Sequence, residues 1–169
     1  GKPELFDTPF DAAPDPQGKM VYFTATGGAG AGVFRVPFAG GPSEKLATGA
    51  PFVEPRGLAV GTDGAHVYVA DPQAGGLFAV PTAGGAPEAV AGTGGTAPRG
   101  IEVARENGAD VLFFAGTDAG SKQPAVFKIA PAGAGAPTVI AKGAPLVEPV
   151  GIAVAGDGTL YVADRQAGG

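Results

Sequence analysis

A motif that recurs through the whole chain is the feature that most constrains its fold. Four segments share a glycine followed by a short run of apolar and aromatic residues, namely Gly18–Thr24, Gly64–Asp71, Gly108–Phe114 and Gly158–Asp164. Their matching centres are Tyr22, Tyr68, Leu112 and Tyr161, separated by 46, 44 and 49 residues. Spacing in the mid-forties is typical of a repeated four-stranded β unit.

The second repeat shows how each unit divides into strands. Four short apolar runs are predicted strands: Pro55–Val60, His66–Ala70, Leu77–Pro81 and Glu88–Ala91. The turn at Thr62–Ala65 contains Asp-Gly, which supplies the positive φ that tight hairpins need. A hairpin cannot bury its apolar face alone, so such units stack radially. The pattern therefore predicts an all-β chain built as a β-propeller, and no segment has an apolar 3.6-residue period long enough to predict a helix.

The repeat boundaries divide one propeller region, residues 1–169, into units of about 1–48, 49–92, 93–142 and an incomplete 143–169. With Glu4–Phe6 taken as an outer strand, we expect four first, four second, three third and four outer strands. About three and a half blades are therefore predicted. An open stack has bare edges, so the chain is either part of a longer propeller or closes a ring with copies of itself.

A second period of 93–94 residues relates the second and fourth repeats. Gly49–Val60 closely resembles Gly143–Val154, and Asp71–Gly76 resembles Asp164–Gly169. This pattern indicates duplication of a two-blade unit.

Charge and composition exclude several classes of partner. The net charge is −5 and the pI about 4.7, which argues against a nucleic-acid partner and against an anionic membrane surface. No apolar stretch is long enough to span a bilayer, so no membrane insertion is expected. There is no cysteine, hence no thiol nucleophile or disulfide. The composition, with one Asn and abundant Ala and Gly, favours a bacterial protein. The absence of cysteine fits either redox compartment, so the location stays open, with a periplasmic or extracellular one favoured.

At these motifs the chain resembles a known superfamily. Pro55–Val60, Asp63-Gly64 and Val67–Asp71 are similar to NHL-repeat propellers, to the senescence-marker-protein and gluconolactonase type, and to YWTD propellers. A Val-Pro-x-Ala-Gly-Gly segment at Val36–Gly41 and Val80–Gly85 resembles bacterial repeat proteins. The resemblance implies a six-bladed propeller, but it does not choose between enzyme, receptor and sensor.

The resemblance also implies where a metal would sit. In gluconolactonase-like enzymes, oxygen ligands of a divalent cation stand just before the glycine that opens the innermost strand. The matching residues here are Phe10, Arg56, Arg99 and Val150, none of which is an oxygen ligand. Two are cationic and would repel a metal ion. We therefore expect no metal site, no catalytic residue and no cofactor in these blades.

Arg56 and Arg99 occupy equivalent places in adjacent blades, so both guanidinium groups are expected at the mouth of the central channel. Paired arginines in a partly desolvated cleft can bind a carboxylate or phosphate. The alternative is local salt bridging, for example with Glu54 or Glu102.

The remaining candidates favour structural roles. Glu54 and Glu148 are expected on the loop rim or paired with nearby cations. Asp71 and Asp164 end the second strands and, as in the resembled families, are expected to anchor the following turn or the next blade. His66, the one histidine, has no partner at catalytic spacing and is expected on a strand surface.

Two further features are also assigned to structure. The tyrosines Tyr22, Tyr68 and Tyr161 recur once per repeat, which indicates packing between blades. Gly27–Gly32 lacks the Gly-Lys-Ser/Thr ending of a phosphate-binding loop, and it is expected to connect a second strand to a third.

The leading functional hypothesis is a non-catalytic scaffold that binds a protein or a small-molecule ligand through its loop faces or its central channel. One alternative is a lactonase-like hydrolase whose active residues lie partly outside this segment. Another is a structural module of a bacterial envelope assembly, which would show self-association into a homo-oligomer.

Overall fold

The computed structural model describes residues 5–133 and 135–168. In these residues the secondary structure is entirely β, and the strands form antiparallel sheets in chain order. The first sheet contains β1 (Thr8–Pro14), β2 (Met20–Thr26), β3 (Gly32–Pro37) and β4 (Glu44–Thr48). The second sheet contains β5 (Gly57–Val60), β6 (His66–Asp71), β7 (Gly76–Pro81) and β8 (Glu88–Ala89).

The third sheet contains β9 (Ile101–Glu106), β10 (Ala109–Thr117), β11 (Pro124–Ile129) and β12 (Thr138–Lys142). The fourth contains β13 (Pro149–Val154) and β14 (Leu160–Asp164). Three four-stranded sheets and one two-stranded sheet agree with the expected three and a half units. The repeat boundaries and the number of blades in a complete ring stay predictions.

The sheets are arranged around their first strands. Strand β1 contacts β5, β5 contacts β9, and β9 contacts β13, whereas β4, β8 and β12 lie at the outer edges of their sheets. The described residues contain no helix of the length and hydropathy needed to cross a membrane.

The apolar core lies between successive sheets. Phe23 and Phe34 of the first sheet stack with ring centroids 5.5 Å apart, and they share a buried cluster with Phe78 of the second. A separate cluster joins the second and third sheets, where Phe114 and Phe127 stack at 4.8 Å. The first three sheets therefore bury apolar faces against one another, as radial stacking requires.

The Asp-Gly turns follow the sequence prediction. Gly64 has φ +73° and Gly158 has φ +85°, values that favour glycine. The preceding aspartates accept hydrogen bonds from the backbone two residues on, with Asp63 bonded to the Ala65 N–H at 2.8 Å. These contacts fix the hairpins that join first to second strands.

One predicted strand and the predicted packing of one tyrosine differ from the structure. Glu4 lies outside the described residues, but Leu5 and Phe6 are not in a strand, so the predicted outer strand Glu4–Phe6 is wrong over those two positions. The Phe6 ring instead packs edge-on against Phe23 at 4.9 Å, within the core of the first sheet. Tyr161 is 64% exposed on the edge strand β14, unlike the buried Tyr22 and Tyr68.

Backbone contact between neighbouring first strands depends on two glycines. A Cβ built on Gly57 would overlap the carbonyl oxygen of Arg99, and one on Gly100 would lie 2.7 Å from the carbonyl oxygen of Val150. Neither glycine has a positive φ, so the requirement is for space and not for backbone conformation. A side chain at either position would push adjacent sheets apart.

We expect Gly57→Ala and Gly100→Ala each to lower the free energy of unfolding by about 1–3 kcal/mol, the usual cost of overpacking. Urea denaturation measures this change. Gly156→Ala is the control, because a Cβ there meets nothing within 4 Å and the glycine has no positive φ. Equal stability of all three variants would contradict the close-approach argument.

Candidate functional site

A cavity of about 560 Å³ opens where the four first strands begin. Its lining includes the four residues that the repeat pattern matches to the metal-ligand positions of gluconolactonase-like enzymes, namely Phe10, Arg56, Arg99 and Val150. We call it the channel cavity. The lining also includes the apolar residues that stand two positions after Arg56, Arg99 and Val150, namely Leu58, Ile101 and Ile152. We call these three residues the apolar layer.

Arg56 is held from two sides. Its guanidinium donates to the Glu54 carboxylate at 2.5 Å, and it lies over the ring of Phe10 with 4.2 Å to the centroid. Partial exposure keeps the net stabilisation from such a pair small. The main consequence is orientation, because a salt bridge and a cation–π contact together restrict a long side chain.

Arg99 pairs across the sheet boundary. Its nearest carboxylate is Glu148, which precedes β13, at 3.6 Å. Of the two partners named from the sequence, Glu54 binds Arg56, whereas Glu102 does not pair with Arg99. Glu102 lies three residues further along the chain, about 10 Å away if the backbone is extended.

Arg165 is a third cation that the sequence reasoning missed. It follows β14, lines the channel cavity and binds Glu148 at 3.3 Å. One carboxylate therefore serves two guanidinium groups, Arg99 and Arg165. The matching residue of the second repeat is Pro72, so the repeat pattern gave no signal at this position.

Two aspartates hold the loops that carry the acidic partners. Asp71 is fully buried and accepts backbone N–H groups on both sides: Val53 at 2.8 Å, Glu54 at 3.0 Å, Gln73 at 3.1 Å and Ala74 at 2.8 Å. It anchors the following turn, as expected, and also the preceding loop. Glu54 is thereby fixed beside Arg56.

Asp164 repeats this arrangement in the fourth sheet. Its carboxylate accepts four backbone N–H groups, from Val147, Glu148, Gln166 and Ala167, at 2.9–3.0 Å. Desolvation by burial raises the pKa of Asp164, but these hydrogen bonds favour the charged form more strongly and lower it to about 2.

Two carboxyl groups share the channel cavity with the arginines. Asp11 stands where the second repeat has Gly57, and it accepts the Leu58 N–H at 3.0 Å. Glu102 is the second residue of β9, and its pKa is raised by desolvation and then by the charge of Asp11. Neither group has an ion-pair partner within the described part of the chain.

The other candidates lie away from this cavity or lack metal-binding company. His66 begins β6 and stacks on Tyr68 at 6.1 Å, and it does not line the cavity. Residues 27–31 connect β2 to β3, in agreement with the predicted connecting loop. Within residues 5–133 and 135–168, no group of three or more potential ligand side chains could hold a metal ion.

Comparison with known proteins identifies the fold. No protein-family model and no curated protein sequence matches this chain. A solved chain of a nidogen/laminin complex superposes with a TM-score of 0.76 at 20% identity, covering 92% of this chain and 56% of that one. Hydrazine synthase of Kuenenia stuttgartiensis gives 0.71 at 19% identity, covering 99% of this chain and 45% of that one.

A structural-genomics protein provisionally named a gluconolactonase gives a TM-score of 0.69 at 18% identity, covering 95% of this chain and 57% of that one. The fold is that of a β-propeller. The resemblance predicted from the repeat motifs is thus confirmed at the level of the fold. This propeller chain spans about half the length of the structures it matches.

The low pKa of Asp164 predicts that the free energy of unfolding depends on pH in the acid range. Its pKa is about 2 when folded and about 3.9 in an unstructured chain, so its hydrogen bonds stabilise the fold fully above about pH 4. We expect the free energy of unfolding to fall as the pH drops from about 4 towards about 2. Denaturant unfolding at each pH measures this slope.

Asp164→Asn should reduce the slope in this acid range, because the titrating group is gone. Glu88→Gln, at an exposed residue of β8, serves as the control. A slope unchanged in the Asp164 variant would show that other carboxyl groups govern acid unfolding.

Proposed function

We propose that this propeller is a non-catalytic binding module whose channel cavity takes a small anion with a carboxylate or phosphate group. The observation that carries the proposal is the meeting of Arg56, Arg99 and Arg165 at one cavity. Each arginine comes from a different sheet region, so the fold itself assembles the cationic mouth. Guanidinium groups match the planar, bidentate geometry of these anions.

The shape of the cavity supports a small ligand. Its volume of about 560 Å³ lies in the ordinary range for small-molecule sites. Its lining combines the three arginines with the apolar layer of Leu58, Ile101 and Ile152. Such an arrangement receives a charged group at the mouth and a less polar portion further in.

We expect wild-type protein to bind succinate or inorganic phosphate, and Arg56→Gln combined with Arg99→Gln to weaken binding by about tenfold or more, the value of one charge-assisted hydrogen bond. Calorimetry at mildly acidic pH measures the affinities. Arg105→Gln is the matched control, because Arg105 lies on β9 outside this cavity and donates to the Gly108 carbonyl.

Equal binding by the double variant and the Arg105 control would overturn the proposal, since the loss of any surface arginine would then have the same effect. Circular dichroism confirms that each variant keeps its sheet content.

A lactonase-like hydrolase is the second candidate, and the carboxyl groups of Asp11 and Glu102 in the same cavity favour it. A carboxyl with a raised pKa can exchange a proton with a reacting group near neutral pH. Glu102 has a raised pKa because of desolvation and the neighbouring Asp11 charge. A hydrolase would use these two carboxyl groups for acid–base catalysis.

Calcium separates the two candidates. For a non-catalytic anion site we expect added Ca²⁺ to leave the thermal midpoint of unfolding unchanged, because the described residues offer no group of three or more potential ligand side chains to hold it. A Ca²⁺-dependent rise in the midpoint, together with hydrolysis of a simple lactone that is lost in Glu102→Gln, would favour the hydrolase instead.

A further inference from the structure

The charges around the channel cavity do not favour an anion when every group is ionised. Three guanidinium groups line the cavity, and Glu54 and Glu148 pair with them. Two more carboxyl groups, Asp11 and Glu102, share the cavity. Three positive charges therefore face four negative ones, and an added anion would meet net repulsion.

The four carboxyl groups differ in the contacts that compensate their charge. Glu54 and Glu148 each contact at least one guanidinium group, which compensates their charge. Asp11 accepts the Leu58 N–H. Glu102 has no ion pair within the described residues and is partly buried. It is the carboxyl group whose charge has the least compensation.

We propose that anion binding in the channel cavity is coupled to protonation of Glu102, so that the site is stronger in mild acid than at neutral pH. This inference rests on the anion site proposed above. With Glu102 neutral, the charges around the cavity balance at three against three, and the repulsion of an incoming anion is reduced.

The elements packed against β9 supply no other compensating charge. Strands β5 and β13 carry no ionisable residue, and across the β9–β10 pair the neighbour of Glu102 is Phe113. On β10, Asp110 accepts from the Thr62 hydroxyl and backbone N–H. On β6, Asp71 accepts the backbone bonds already described, and His66 stacks on Tyr68.

The two other charged residues of β9 also have bonding partners. Arg105 donates to the Gly108 carbonyl, and Glu106 binds Lys128 at 2.6 Å. The charges facing Glu102 are therefore Asp11 and, at the mouth, the three arginines with their partners. A bound anion adds to the negative charge near Glu102 and raises its pKa further. Anion binding is therefore accompanied by uptake of a proton at Glu102.

Inorganic sulfate is a suitable probe, because its charge stays constant over the range used. We expect calorimetry to show binding about fivefold tighter at about pH 5 than at about pH 8, a moderate effect for partly screened charges. Titrations in two buffers of different ionisation enthalpy should show net proton uptake by wild-type protein. That second measurement needs no variant.

Glu102→Gln should bind sulfate at both pH values about as tightly as wild type does in acid. Glu54→Gln and Glu148→Gln are the matched controls and should keep the wild-type pH ratio. Loss of the ratio in Glu148→Gln but not in Glu102→Gln would place the proton on the salt-bridge carboxylate and overturn the inference.

Sulfate binding that is independent of pH in wild-type protein would also overturn the coupling, while leaving the anion site intact. Absence of binding at every pH would overturn both proposals.

Discussion

The backbone-to-backbone contact between neighbouring first strands is the constraint on which the rest of the structure depends. Gly57 lies against the Arg99 carbonyl, and Gly100 against that of Val150, with no room for a side chain. Because each glycine follows a cavity residue directly, close packing also brings Arg56 and Arg99 to the same opening. Stability and site geometry therefore share one cause.

Stacking of the sheets has an electrostatic consequence as well. Glu54 is two residues from Arg56 and binds it within one repeat, but Glu148 binds Arg99 of the preceding repeat. The second kind of pair exists only when adjacent sheets are docked. The carboxylates of Asp71 and Asp164 accept hydrogen bonds from the backbone N–H groups of Glu54 and Glu148 and hold both glutamates in place. The two aspartates therefore position the charged mouth although they do not line it.

The fold was largely predictable because the repeat period and the Asp-Gly turns are local signals. The alignment of Arg56 and Arg99 before a glycine was equally readable. Arg165 was not, since its partner position in the second repeat is Pro72. The exposure of Tyr161 and the packing of Phe6 against the first sheet could not be predicted, because a repeat pattern assigns the same environment to every copy.

The departure of the first repeat from the glycine pattern links these observations to function. Where the second and third repeats have glycine, the first has Asp11, whose carboxylate bonds to the Leu58 N–H of the next sheet. This bond joins two sheets. The Asp11 carboxylate also places a negative charge in the cavity, and that charge raises the pKa of Glu102, after the larger effect of desolvation. A substitution made at a packing position therefore changes the electrostatics of the channel. Removal of the Asp11 charge would lower the pKa of Glu102, and any coupling between protons and anions would move to lower pH.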